Sequence, residues 1–147
     1  MNDKSILDRK ISPFAQLGAV MILAVILMIF TSFLPEIPYS STGKIRPWVV
    51  LCSMILFFAL VNSILSFAAE DGNKYWLHSI ISFSLLLVLG GLIAWAMSGV
   101  SIHDAGSVKW LYMVLTFGYL VFLSIVNLIK LLVNLAQKQD KRLHGEE

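Results

Sequence analysis

Four long apolar stretches, separated by short polar ones, dominate the chain: residues 14–34, 47–69, 75–98 and 109–129. Each reaches the roughly 20 residues that a helix needs to cross about 30 Å of hydrocarbon. Backbone groups cannot stay unpaired in lipid, so each stretch is expected to be a transmembrane helix. Lys4, Arg9 and Lys10 precede the first stretch, as basic residues precede a signal peptide. Its apolar core is too long for one, and no A-x-A cleavage pattern follows, so a retained helix is expected.

The ends of the stretches fit this reading. Pro35 and Pro38 are expected to stop the first helix, and Pro47 suits the first turn of the second. Trp48, Tyr75, Trp76, Trp95, Trp110 and Tyr112 lie near run ends, where amphipathic rings favour the headgroup zone. The longest connection, residues 35–46, is too short to fold alone. A single membrane domain over 1–147 follows, with a 1–13 tail and a polar 139–147 end.

Composition strengthens the case for a bilayer. With 58% hydrophobic and 14% charged residues, the chain has too little polar surface to cover a soluble domain. A net charge of +2 argues against a nucleic-acid partner. Cys52 stands alone, which excludes an internal disulfide and a CxxC site.

Charge also orients the helices. Eight of the eleven Lys and Arg residues fall on the side of the two termini and the 70–74 connection; Lys44, Arg46 and Lys109 fall on the other. The positive-inside rule then predicts an all-α bundle of four antiparallel helices, running up-down-up-down with both termini cytoplasmic. The sparse loops suit a bacterial plasma membrane.

Depth places the polar residues within the spans. Ser66 and His78 stand four residues either side of the 70–74 connection, about 6 Å deep, and Asn62 and Ser82 stand eight, about 12 Å deep. Asn62 with Ser66, and His78 with Ser82, share helix faces at i, i+4. With Asn127, Ser124 and Gln16 they make an expected polar layer in the cytoplasmic half. Such a layer either joins helix to helix or conducts protons or ions with His78 titrating; the absence of an acidic residue at membrane depth favours the first. Gly90, Ala94 and Ser98, Ala15 and Ala19, and Ala59 and Ser63 recur every four residues, which allows close helix approach.

Asn127, Lys130, Asn134, Gln137 and Lys141 form one helical stripe among Leu, Ile, Val and Ala. The fourth helix is therefore expected to continue to about residue 138 as an amphipathic extension. Lys130 would snorkel to water at the boundary, and the stripe would meet a protein partner or lipid headgroups.

Signatures of chemistry are sparse. H-E-x-x-H, G-x-S-x-G and the P-loop are absent. His103 and Asp104 are half of a metal site without a third ligand, and an exposed polar turn is the simpler reading of 101–107. Only His78 sits in a span, which argues against bis-histidine haem. Length and helix count resemble those of small multidrug exporters, but the glutamate such proteins carry within the first helix is missing, since Glu36 follows Pro35. No cofactor or metal is expected. The expected function is a non-catalytic accessory or assembly subunit of a membrane complex, with membrane proteins or further copies as partners. A small oligomeric transporter or channel is the second reading, and an enzyme using 101–107 the third.

Overall fold

A computed structural model describes residues 12–35, 42–68 and 72–145. Lys4, Arg9, Lys10, Pro38, Glu70 and Asp71 lie outside them, and with them the basic tail and the turn of the expected hairpin. The described residues form four helices: α1 (Pro13–Ser32), α2 (Thr42–Ala68), α3 (Gly72–Ser98) and α4 (Ser107–Leu143). All four are long and apolar enough to cross a membrane.

Local chemistry accounts for several of the ends. The Ser12 hydroxyl accepts the Ala15 N–H at 3.2 Å and Pro13 takes the first helical position, the usual opening of a helix. Beyond α3, Gly99 adopts a φ of +65° and its N–H returns to the Trp95 carbonyl at 2.9 Å, a left-handed cap that suits glycine. Two ends depart from expectation. α1 ends at Ser32, three residues before Pro35, where the Thr31 and Ser32 hydroxyls both donate to the Met28 carbonyl and compete with the backbone ladder. α2 starts at Thr42, so Pro47 lies inside the helix, past its first turn, and forfeits one ladder bond there.

Packing centres on α2, which touches all three other helices; α4 meets α2 and α3 and makes no contact with α1 among the described residues. Val20, Ala24 and Met28 present one face of α1 to the interior, and Leu51, Ile55 and Phe58 do so from α2. Phe83 and Leu86 of α3 and Leu123 of α4 complete the core. Phe58, Phe83 and Tyr119 form an aromatic knot, with Phe83 and Tyr119 centroids 4.1 Å apart. The small-residue face of α3 is used within the chain: a Cβ on Gly90 would lie 2.5 Å from Leu51 Cδ1, and Ala94 is fully buried. Ala15 and Ala19 of α1 are exposed instead.

Two of the aromatic residues expected in the headgroup zone belong to the core. Trp48 is buried and its indole N–H donates to the Val100 carbonyl at 3.0 Å, with Tyr112 edge-on at 6.2 Å. Tyr112 in turn donates to the Leu87 carbonyl at 2.8 Å. Trp95 and Trp110 do face outward.

Candidate functional site

The polar side chains of the spans converge on Asn62. This residue of α2 has no exposed surface; its amide donates to Gln16 Oε1 of α1 at 3.0 Å, and its Oδ1 accepts the Tyr119 hydroxyl of α4 at 2.8 Å. Gln16 and Tyr119 are themselves buried. A buried amide in an apolar bundle needs hydrogen-bond partners; Asn62 finds one for its amide and one for its carbonyl while joining three helices, whereas the buried Gln16 Nε2 has none among the described residues. From α3, Tyr75 lies beside Gln16, although its hydroxyl makes no full hydrogen bond. Ser79 and Ser82, one turn apart on α3, are also fully buried, as is most of Ser66 on α2.

Asn62, Ser66 and Ser82 are buried, and Asn127 is half-buried. His78 is half-buried: its Nδ1 lies 2.7 Å from the Lys74 carbonyl of its own helix and its ring meets Phe14 of α1 edge-on at 5.4 Å. Helix rotation explains the difference, because His78 lies next to Ser79 but about 100° round the axis from it. Asn62 and Ser82 do not bond to each other. Tyr119 was hidden by its setting, inside an unbroken apolar run, and only its hydroxyl distinguishes it from the neighbouring Phe residues.

A different geometry governs α4. Tyr119, Leu123 and Val126 are its only buried residues, a single narrow seam. Every residue from 131 to 145 is exposed. The helix runs 37 residues, about 55 Å, and extends five residues beyond the expected end at 138. Of the expected stripe, Asn127 and Lys130 are half-buried while Asn134, Gln137 and Lys141 are exposed. Half-buried Lys130 donates from its ammonium to the Ser66 carbonyl in the last turn of α2. A cation at the C-terminal end of a helix is favoured by the helix dipole.

No family of known proteins, no curated protein and no solved structure matches this chain. Its function is therefore argued from its own residues. In the 101–107 connection, Asp104 accepts the Ser101 hydroxyl at 2.9 Å, while His103 Nδ1 stands 3.4 Å from the Lys109 ammonium. The two side chains take different neighbours. Among the described residues no three of His, Cys, Asp and Glu gather as metal ligands would.

Proposed function

We propose that the protein is a non-catalytic integral membrane subunit that docks a protein partner through α4. The observation that carries this reading is the α4 extension, in which Leu131, Leu132, Val133 and Leu135 are exposed beside Asn134, Gln137 and Lys141. An apolar face that the chain itself leaves uncovered suits a partner helix. Lys130 supports the reading, since it ties the base of the extension to α2.

The arrangement proposed is an antiparallel four-helix bundle in a bacterial plasma membrane, with both termini cytoplasmic. The excess of Lys and Arg on the terminal side supports that orientation. The contacts of Gln16 with Asn62, and of Arg46 with the end of α1, suit helices running in opposite directions.

The test compares the full chain with a truncation after residue 133, each purified in mild detergent. A stoichiometric partner that accompanies the full chain and is lost from the inserted, folded truncation supports docking. A clean homo-oligomer that keeps its assembly without the extension favours the small transporter or channel instead.

A further inference from the structure

Thr31, Ser32, Lys44, Arg46 and Ser98 help to line a cleft of about 200 Å³ at the end of the bundle opposite Lys130. Among the described residues its lining contains two cations, Lys44 and Arg46, and no acid; Glu36 lies outside them. Arg46 is held in place by helix α1: its guanidinium donates to the carbonyls of Thr31 at 3.2 Å, Leu34 at 2.8 Å and Pro35 at 2.9 Å. Those bonds occupy both protons of Nη1 and one of Nη2, which leaves Nε–H and one Nη2 proton for a further acceptor. Lys44 is exposed and has no hydrogen-bonding or ionic partner among the described residues. The Thr31 and Ser32 hydroxyls donate to the Met28 carbonyl, so only their lone pairs remain and they add no donor to the cleft.

Two like charges beside one cleft repel, and an anion relieves that repulsion. A phosphate group matches the donors, with a fixed Arg fork on one side and a mobile Lys point charge on the other. The surroundings are apolar and outward-facing: Phe30, Phe33, Leu34 and Trp95 are all exposed at this end of α1 and α3. Acyl chains can lie against these side chains while the headgroup enters the cleft.

We propose that this cleft binds a phosphate group, carried by an anionic phospholipid or present as the free ion. The inference is independent of the docking reading, because it concerns the opposite end of the bundle and its test needs no partner. The full chain is placed in nanodiscs of phosphatidylcholine, and its thermal unfolding is followed as phosphatidylglycerol is titrated into the bilayer or inorganic phosphate into the buffer. Stabilisation by phosphatidylglycerol alone assigns the site to lipid; stabilisation by inorganic phosphate to the same extent assigns it to the free ion. In either case Lys44→Gln, a change at an exposed side chain, weakens the apparent affinity about tenfold, as loss of one charge-assisted hydrogen bond implies. Lys138→Gln, which removes a cation elsewhere, leaves it unchanged. Equal responses of the native chain and Lys44→Gln, equal losses in both variants, or no response to either anion would overturn the proposal.

Discussion

Replacing Asn62 by Leu should loosen three helices at once. Leu is apolar and of similar size, so the change removes hydrogen bonds with little change of volume. Two bonds are lost, to Gln16 Oε1 at 3.0 Å and from the Tyr119 hydroxyl at 2.8 Å. Interhelical bonds in membranes contribute about 0.6 kcal/mol on average and about 1.7 at most. The expected cost of Asn62→Leu is thus about 1.2 to 3.4 kcal/mol, and Tyr119→Phe, which breaks one of the two bonds, costs about half of that. The cleaner quantity is their coupling. In a double-mutant cycle the Asn62→Leu and Tyr119→Phe effects should fall short of additivity by about 0.6 to 1.7 kcal/mol. Reversible unfolding of the full chain in mixed micelles, followed by helicity as denaturing detergent is added, measures all four corners. Additive effects would show that the Tyr119–Asn62 bond contributes nothing, and the account of the polar core would fail.

Further outcomes concern other parts of the chain. Lys130→Leu should lower stability by about 0.3 to 2 kcal/mol, because the α2 end loses its cation, whereas Lys130→Arg should be close to neutral; identical unfolding curves for the two variants would refute the capping role. Gly90→Ala should be less stable than Gly91→Ala by about 1 to 3 kcal/mol, since the new methyl meets Leu51 at 2.5 Å in the first case and only the Tyr112 hydroxyl at 3.6 Å in the second. On a Cys52→Ser background, cysteines at positions 5 and 144 should react only with reagents on the cytoplasmic side and those at 41 and 103 only with reagents outside. Labelling of 5 and 144 from outside would invert the orientation.

The spans were legible because length and hydropathy act along the chain, and those are what a bilayer selects. Facing was much less legible. In helices that are apolar all round, Val20 and Ile22 look alike in sequence, yet one is buried and the other 65% exposed. Depth counted from the 70–74 connection groups Asn62, Ser66, Ser82 and His78, but equal depth says nothing of which way a side chain points: the first three are buried and His78 is half-buried. For Lys130 the sequence indicates a long basic side chain at the end of an apolar run, and the bond to the Ser66 carbonyl of a neighbouring helix has no signature along the chain.

The two basic side chains at helix ends have a mechanical consequence. α2 is pinned twice along its length: Arg46 clasps the end of α1 at one extremity, and Lys130 of α4 grips its Ser66 carbonyl at the other. Between them Asn62 is held from both flanks. A piston stroke of α2 by a single helical turn, about 5.4 Å, would break all of these attachments together. A swing of α4 away from the bundle would leave α1 untouched but would break the Tyr119–Asn62 and Lys130–Ser66 bonds to α2. A sideways pull on the exposed end of α4 is thus resisted at two points on α2, Asn62 within the core and Ser66 at its edge.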